Sequence, residues 1–240
     1  MPAPLVLAHR GARQDAPENT IEAFVLALVQ GADGVELDVH RSADGGLVVH
    51  HDADATGVGL LALRTLADIR AARPDIPTLD EVLDECAGAL VNIEIKNLHG
   101  DGDYDPDDTA AELVVACLGR RGGDDDVLVS SFNLATINRV RALDPSVPTG
   151  FLTMLGFDPI DALDVCAAHG HGALHPFVGM LAGPVAAATV IKAHERAIAV
   201  NVWTVNDDDE IRRLAAAGVD IVMTDVPGSA LRALGRTSGE

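Results

Sequence analysis

Gly34-Val-Glu-Leu-Asp-Val-His40 is the stretch that decides the fold, because it places charges inside an apolar, strand-like run. A second run of this kind, Val91-Asn-Ile-Glu-Ile-Lys96, follows further along the chain. A strand points alternate side chains to one face, so Glu36 and Asp38 share a face, as do the two charged residues of the second run. An uncompensated ion in such a strand costs several kcal/mol. The two runs therefore predict a site that holds a cation and an anion together.

Strand-like and helix-like stretches alternate along the whole chain. Eight strand–helix pairs within 240 residues predict an α/β protein, a (β/α)₈ TIM barrel in one domain. An open, doubly wound sheet is the alternative. The predicted strands are Leu5–His9, Val35–Val39, Leu90–Lys96, Val127–Phe132, Thr149–Thr153, Gly172–His175, Ile198–Val205 and Asp220–Thr224. The predicted helices are Thr20–Gln30, Leu79–Ala87, Asp108–Arg120, Leu134–Ala142, Pro159–His169, Val185–Arg196, Asp207–Ala217 and Gly228–Leu234.

The length and composition fit one domain. With 48% hydrophobic residues, the chain has enough apolar side chains for one large core but not for two. We expect residues 1–234 to form a single catalytic domain. The tail, residues 235–240, has no apolar anchor, and we expect it to be disordered. No surface stripe indicates an oligomeric state.

The charge excludes several classes of partner. A formal net charge of -20 argues against binding to nucleic acid or to an anionic membrane. No apolar run is long enough to span a membrane, and no signal-like segment opens the chain, so we expect a cytoplasmic protein without a membrane anchor. The three cysteines, Cys86, Cys117 and Cys166, have no metal-site spacing and are expected to be reduced, buried thiols.

Chemistry in a barrel of this type lies at the carboxyl ends of the strands. The turn Asp44-Gly45-Gly46 predicts a small hairpin after the second strand, which would bring His51 back towards that end. The candidate residues that this topology would gather are His9, Arg10, Glu36, Asp38, His51, Glu94, Lys96 and Trp203.

Three of these candidates are carboxylates, which are the hard oxygen ligands that Mg²⁺ or Ca²⁺ prefers. The alternative for Glu36, Asp38 and Glu94 is an internal salt-bridge network with Arg10 and Lys96. Three carboxylates against two cationic side chains leave a formal charge of -1, which one divalent cation changes to +1. A phosphodiester, with its single negative charge, would complete the balance, so we predict one bound divalent cation.

Two histidines fall beside this acidic cluster. His9 and His51 are candidates for an acid/base pair that works near neutral pH, although zinc ligation and core packing are the alternatives. Arg10 carries a planar guanidinium that suits a charged oxygen group, so phosphate chemistry is favoured.

Other polar and aromatic residues carry weaker signals. Trp203 and Phe132 are candidates for a substrate wall at the barrel mouth, with core packing as the alternative for Trp203. His175 is a weaker candidate of the same kind, and His40 is expected to have no role. Asn19, with a glutamate three residues on, predicts a capping box for the first helix.

The stretch Asp101-Gly-Asp-Tyr-Asp-Pro-Asp-Asp108 is rich in acidic residues. Asp101, Asp103, Asp105 and Glu112 occupy the first, third, fifth and twelfth positions of a calcium loop. Pro106, however, occupies the position where such a loop needs glycine, and no helix precedes the stretch. We therefore expect a solvated acidic loop over the barrel mouth rather than a calcium site.

Taken together, several motifs resemble the glycerophosphodiester phosphodiesterase family. Their order and spacing carry the resemblance, which runs from Leu5 to about Pro227. The motifs are His9-Arg10-Gly11, Pro17-Glu-Asn-Thr20, Glu36-Leu-Asp38, His51-Asp52, Glu94-Ile-Lys96, Trp203-Thr-Val-Asn206 and Thr224-Asp225-Val-Pro227.

This resemblance implies a metal-dependent enzyme that hydrolyses glycerophosphodiesters to glycerol 3-phosphate and an alcohol. It implies that the substrate's own glycerol hydroxyl attacks phosphorus and that water then opens the cyclic phosphate. The implied roles are general base for His9, general acid for His51, phosphate binding for Arg10 and Lys96, and binding of one divalent cation, Mg²⁺ or Ca²⁺, for Glu36, Asp38 and Glu94.

One departure from the family pattern concerns the stretch from Ala53 to Asp75, which is short and resembles a reduced insertion. A reduced lid predicts an open pocket that tolerates varied head groups. Two other functions compete: a lysophospholipase D-like phosphodiesterase, and a non-catalytic barrel that binds a phosphorylated ligand. The former needs an apolar groove or loop, which a chain with 3% aromatic residues does not make evident.

Overall fold

The computed structural model of the chain describes residues 2–123 and 125–236. The strands are β1 (Leu5–His9), β2 (Gly34–Arg41), β3 (Leu47–Val49), β4 (Asp54–Ala55), β5 (Gly59–Leu60), β6 (Leu90–Ile95), β7 (Val127–Ser131), β8 (Thr149–Thr153), β9 (Ala173–Pro176), β10 (Ala199–Val202) and β11 (Ile221–Thr224). The helices are α1 (Ile21–Val29), α2 (Leu66–Ala72), α3 (Leu79–Glu85), α4 (Thr109–Arg121), α5 (Leu134–Leu143), α6 (Pro159–His169), α7 (Val185–His194), α8 (Asp208–Ala217) and α9 (Pro227–Ala233).

Eight of these strands close into a parallel barrel. The hydrogen-bonded order runs β1-β11-β10-β9-β8-β7-β6-β2, and β1 also pairs in parallel with β2, which closes the circle. An open sheet would leave two edge strands, so the closure excludes the doubly wound alternative and confirms the predicted TIM barrel. β3 pairs antiparallel with β2 and forms the predicted small hairpin.

Burial explains why the strands could be located from sequence. Parallel barrel strands are covered on both faces, so they appear as short apolar runs. β1 and β8 have the predicted bounds. The stretch from Ala53 to Asp75 contains α2 and the β4–β5 hairpin, neither of which was predicted. This stretch folds over a small separate core around Val48, Leu61 and Ile69.

The start of α1 differs from the prediction. Thr20, not Asn19, is the N-cap, and its side chain accepts a hydrogen bond from the Ala23 N–H. Asn19 has a φ of 57° and is buried, so its side chain points away from the helix. The predicted capping box is therefore wrong.

The ends of the chain are described in part. Of the predicted tail, residues 237–240 lie outside the described residues, whereas Arg236 forms an ion pair with Asp33 at 2.7 Å. Within the described ranges, no helix combines the length and the apolar character that crossing a membrane requires.

Candidate active site

The strand register brings the charged residues of β1, β2 and β6 together. His9 is the parallel partner of Glu36 across the β1–β2 pair. Asp38 is in turn the partner of Glu94 across the β2–β6 pair. Charged residues from three segments therefore lie side by side at the carboxyl ends of adjacent strands, where barrel enzymes carry their chemistry.

The three carboxylates form a compact acidic trio. Glu36, Asp38 and Glu94 are 3%, 1% and 8% exposed, and each offers an oxygen that lies within 4.8 Å of the others. Among the described residues, the buried Oδ1 of Asp38 has no hydrogen-bond partner, although the Lys96 ammonium lies 3.4 Å from it. An orphaned oxygen within a set of hard ligands is what a divalent cation would satisfy, so the residues present fit a Mg²⁺ or Ca²⁺ site.

Two cationic side chains lie against the trio. The Lys96 Nζ is 3.0 Å from Glu94 Oε1 and 3.4 Å from Asp38 Oδ1. The Arg10 Nε is 3.2 Å from Asp38 Oδ2. Burial opposes ionisation of Asp38, but Lys96 and Arg10 outweigh it and lower the pKa of its carboxyl group. Asp38 is therefore the ionised centre of the cluster.

The two glutamates behave differently. Burial, followed by repulsion from Asp38 and Glu94, raises the pKa of Glu36 well above its usual value. Burial also raises the pKa of Glu94, against the attraction of Lys96. Both glutamates of the metal-free trio therefore hold their protons to higher pH than free carboxyl groups do, and an added positive charge would favour their ionised forms. This is the electrostatic behaviour expected of a site for a cation rather than of a completed salt-bridge network.

The turn after β1 positions Arg10. Arg10 and Gly11 both have left-handed backbones, with φ of 58° and 80°. A Cβ on Gly11 would lie 2.6 Å from the Ala23 carbonyl carbon, so only glycine fits this close approach. The Arg10 N–H donates to Glu36 Oε2 at 3.0 Å, so the strained residue is held by the site itself.

His9 is oriented by residues from the other end of the chain. Its Nδ1–H donates to Asp225 Oδ1 at 2.7 Å, and Asn206 Nδ2 donates to the other oxygen of Asp225 at 2.7 Å. Burial opposes ionisation of Asp225, but these hydrogen bonds outweigh it and lower its pKa. An ionised Asp225 fixes the proton of His9 on Nδ1, which leaves Nε2 as the free, basic nitrogen.

His51 completes the pair from the segment after β3. Its Nδ1–H donates to Asp52 Oδ1 at 2.7 Å. Burial, with repulsion from Lys96 and Arg10, lowers its pKa, while Asp38 and Asp52 partly oppose the shift. A histidine with these neighbours gives up a proton more readily than a free imidazole.

These side chains line one small cavity of about 160 Å³, together with Phe132 and Trp203. The two rings meet edge to face, with centroids 5.3 Å apart. A neighbouring cavity of about 310 Å³ continues from His51 towards Met154 and Asp101. Eight of the nine predicted site residues thus line one cavity, and the ninth, Asp38, contacts Arg10 and Lys96 of that lining, although their roles stay predictions. Another cavity, of about 720 Å³, lies at the opposite, amino ends of the strands and contains none of them.

Some functional neighbours were missed from the sequence. Asn19 Nδ2 donates to Asp38 Oδ2 at 2.9 Å, and the Asp225–Asn206 pair orients His9. All three residues fall inside motifs quoted for the family resemblance. Their positions after strands were the signal that could have identified them from the sequence. His175, a weaker candidate, is fully buried away from this cavity and bonds to Asn201.

The carboxylates of the acidic loop do not converge as those of the acidic trio do. Within residues 2–123 and 125–236, the acidic trio is the one cluster that could hold a metal ion. The loop does lie beside the barrel mouth, where Asp101 lines the cavity of about 310 Å³. It is not solvated throughout, because the Asp103 side chain is 3% exposed and bonds to His40 Nδ1 at 2.6 Å. His40 was expected to have no role, and its contact with the loop was not foreseen.

An apolar loop follows β8, next to the cavity of about 310 Å³. Leu155 and Phe157 are 66% and 51% exposed, and Met154, which lines the cavity, is 42% exposed. The low aromatic content of the sequence did not make this feature evident.

Comparisons with known proteins agree on one family. Residues 9–229 match the Glycerophosphoryl diester phosphodiesterase family. A relative from Caldanaerobacter subterraneus subsp. tengcongensis, named glycerophosphodiester phosphodiesterase, is 33% identical over 240 residues, which cover 93% of this chain and 94% of the relative.

Solved structures show the same barrel. The glycerophosphodiester phosphodiesterase of Thermotoga maritima has a TM-score of 0.82 and 27% identity, covering 98% of this chain and 100% of its own. A phosphodiesterase of Oleispira antarctica, solved with the product sn-glycerol-3-phosphate, has a TM-score of 0.83 and 26% identity, covering 97% of both chains.

Proposed function

Since this chain belongs to the glycerophosphoryl diester phosphodiesterase family, we propose that it hydrolyses glycerophosphodiesters to sn-glycerol 3-phosphate and an alcohol in a reaction that requires a divalent cation. The chain is a glycerophosphodiester phosphodiesterase. The product bound to the Oleispira relative supports the choice of products.

Glu36, Asp38 and Glu94 would hold one cation, either Mg²⁺ or Ca²⁺. When bound, this cation supplies positive charge that polarises a phosphoryl oxygen and stabilises charge developing in the transition state. The unpaired Asp38 Oδ1 and the raised pKa of Glu36 and of Glu94 support this assignment.

Arg10 and Lys96 would bind the remaining phosphate oxygens. Both side chains line the cavity that His9 and His51 share. Glu18 accepts a hydrogen bond from Arg10 Nη1 at 3.1 Å, and Asp38 lies against its Nε, so the guanidinium is fixed before substrate arrives. A cation positioned in advance costs no reorganisation during the reaction.

His9 and His51 would move the protons. His9 Nε2 takes the proton of the substrate's glycerol hydroxyl as that oxygen forms a bond to phosphorus. The bond from phosphorus to the alcohol oxygen breaks, and His51 gives its Nε2 proton to that oxygen. Water then opens the cyclic phosphate, adding hydroxide to phosphorus and returning a proton to the released glycerol oxygen, so the two histidines exchange roles.

The observation that carries this proposal is that two oriented histidines line one cavity together with Glu36 and Glu94 of the acidic trio. The test is release of glycerol 3-phosphate from glycerophosphocholine by metal-stripped protein, with Mg²⁺ or Ca²⁺ added back. We expect release only after one of these cations is added. Equal release without a cation would contradict the metal requirement, and no release from folded protein would contradict the substrate.

One observation favours a second candidate, a lysophospholipase D-like activity. Leu155 and Phe157 are exposed apolar residues of the loop after β8, and they follow Met154, which lines the cavity of about 310 Å³. An acyl chain that left this cavity along the loop would contact them. Assay of lysophosphatidylcholine beside glycerophosphocholine separates the two. Faster release of choline from the lysophospholipid would make this second function the main one.

The proposed function also includes the class of ligand, the bounds of the catalytic domain and the cellular compartment. The net charge of -20 supports small-molecule substrates over nucleic acid. Residues 1–234 would act as one catalytic domain. The free, buried thiols Cys86, Cys117 and Cys166 support the reducing environment of the cytoplasm.

A further inference from the structure

A chain of two hydrogen bonds connects the acidic loop to His51. Asp103 Oδ2 lies 2.6 Å from His40 Nδ1, and His40 Nε2 lies 3.2 Å from the backbone carbonyl oxygen of His51. The side chains of Asp103 and His40 are 3% and 1% exposed, so both contacts exclude water. The loop between β6 and α4 therefore contacts the segment that carries His51 through a single buried ring.

His51 needs such an anchor because regular structure does not hold it. It follows β3 in a stretch of bends, and its ring bonds to Asp52, whose side chain is 72% exposed. A hydrogen bond to an exposed carboxylate constrains a side chain weakly. His40, by contrast, belongs to β2, whose pairing with β1 and β6 makes it rigid. The bond from its Nε2 thus fixes the backbone of His51 to the barrel.

Asp103 determines how the His40 ring is turned. A buried imidazole can direct Nε2 at the His51 carbonyl only if its Nδ1 side is also satisfied. The Asp103 carboxylate satisfies that side. The loop is itself anchored, since the Asp105 N–H donates to Asn97 Oδ1 at 2.8 Å.

The burial of Asp103 is costly in a way that loop closure does not require. Its Oδ1 is buried without a hydrogen-bond partner. A carboxylate that only closed a surface loop would keep its oxygens in water, as the exposed Asp107 of the same loop does. Local conflicts of this kind are typical of functional positions.

We propose that Asp103 and His40 are positioning residues for departure of the alcohol: together they hold His51 where it can protonate the leaving oxygen. The inference rests on the proposed function, in which His51 is the general acid. The acidic loop then takes part in departure of the leaving group. This role explains the burial of Asp103, which calcium binding by the loop would not explain.

The role predicts a dependence on the leaving group. Choline leaves as an alkoxide and needs a proton, whereas p-nitrophenolate is a stable anion and does not. A defect in the position of His51 should therefore slow release of choline in a single turnover of glycerophosphocholine and spare release of p-nitrophenolate from the p-nitrophenyl ester of glycerol 3-phosphate. Single turnovers are used because the second step, in which His51 takes a proton from water, is common to both substrates. A defect in folding, or in binding of the shared glycerol phosphate half, would slow both.

The experiment compares Asp103→Ala, Asp103→Asn and the control Asp107→Ala on both substrates, at saturating Mg²⁺ or Ca²⁺. We expect Asp103→Ala to lower the single-turnover rate of choline release roughly 10-fold, part of the 10²–10⁴ typical of a general acid. We expect a change below about 2-fold in release of p-nitrophenolate from the p-nitrophenyl ester. Asp103→Asn should recover most of the loss, because its amide N–H can donate to His40 Nδ1 and leave the ring proton on Nε2, which donates to the His51 carbonyl oxygen. Asp107→Ala should match wild type.

Two further variants keep the outcome clear. His40→Ala should reproduce the Asp103→Ala defect, and the double variant should lose no more than either single one, because both act through one contact. If His40→Ala does not fold, the Asp103 series decides alone. Equal losses on both substrates, or a change in KM only, would overturn the positioning role. If His51→Ala itself affects both substrates equally, the acid assignment of the proposed function fails instead.

Discussion

The buried polar residues of the barrel fall into two regions of different character. Strands β1, β2 and β6 bury ionisable groups such as Glu36, Asp38 and Glu94. Strands β8, β9 and β10 bury neutral polar groups instead, among them Thr149, His175 and Asn201. We call these the charged half and the neutral half of the barrel.

The neutral half buries polar groups without ionising them. Asn201 Nδ2 donates to His175 Nε2 at 2.9 Å, and complete burial lowers the pKa of His175 to about 3. Gly150 makes room for this ring, because a Cβ there would lie 2.3 Å from His175 Nε2. Among the described residues, His175 Nδ1 and Asn201 Oδ1 have no hydrogen-bond partner, so this half also leaves polar atoms unpaired, but none of them carries a charge.

In the charged half the unpaired groups are ionisable. The orphaned Oδ1 of Asp38 and the raised pKa of Glu36 both indicate a deficit of positive charge. The comparison teaches that a barrel can bury polar residues cheaply when they stay neutral. Where it buries ions instead, it lowers its stability and gains a site for charged ligands.

The largest expected effect tests whether catalysis belongs to the charged half alone. We expect His9→Ala or His51→Ala to lower kcat about 10²–10⁴-fold, because each removes a proton-transfer group. The matched control is His50→Ala, which removes a neighbouring histidine that does not line the cavity. Steady-state kinetics with glycerophosphocholine measure the loss, and circular dichroism checks the fold. Near-normal turnover by either variant would remove the acid/base assignment.

A smaller effect tests the cost of the buried ions. Because burial and neighbouring carboxylates raise the Glu36 pKa in the folded state, the charged form destabilises the metal-free protein once the pH exceeds the unfolded value of about 4.5. Glu36→Gln should therefore stabilise the metal-free protein at neutral pH by about 1–4 kcal/mol, as other replacements of buried ions do. Urea unfolding after chelation measures this gain, which should vanish near pH 4.

The exposed Glu195 provides the control for this prediction, since Glu195→Gln removes the same charge from the surface. Added Mg²⁺ or Ca²⁺ should stabilise wild type and the control variant more than Glu36→Gln. A Glu36→Gln variant that is less stable without metal would show that the carboxylate is a satisfied structural group.

The smallest expected effect concerns the neutral half. With a folded pKa of about 3, His175 stays neutral while its unfolded counterpart takes up a proton below about pH 6.5. Its contribution to stability is therefore complete above about pH 6.5 and is lost as the pH falls towards 3. Between pH 6 and pH 5 the loss is about 1 kcal/mol. His175→Gln should reduce this slope, as measured by urea unfolding at the two pH values; an unchanged slope would contradict the assignment.

The sequence was informative wherever one local pattern determines a feature. Alternation within a strand placed Glu36 and Asp38 on one face, and the rule that barrel sites lie at the carboxyl ends of strands brought them to His9. The bounds of β1 and β8 followed from their short apolar runs.

What the sequence did not predict are contacts between segments with no shared pattern. The His9–Asp225 bond joins residues 216 positions apart, and the His40–Asp103 bond joins residues 63 apart. No periodicity relates such pairs, since their contact depends on loop paths that only the folded chain defines. The same reason explains α2, a short helix stabilised by packing on a local core.

The closure of β1 against both β2 and β11 also sets the order in which the site is assembled during synthesis. His9 ends β1 and Asp225 follows β11, so translation makes these two partners at opposite ends of the barrel sequence. A nascent barrel that has not yet reached β11 carries the acidic trio but not the Asp225 carboxylate that accepts from His9. The geometry around His9 is therefore complete only when the barrel closes.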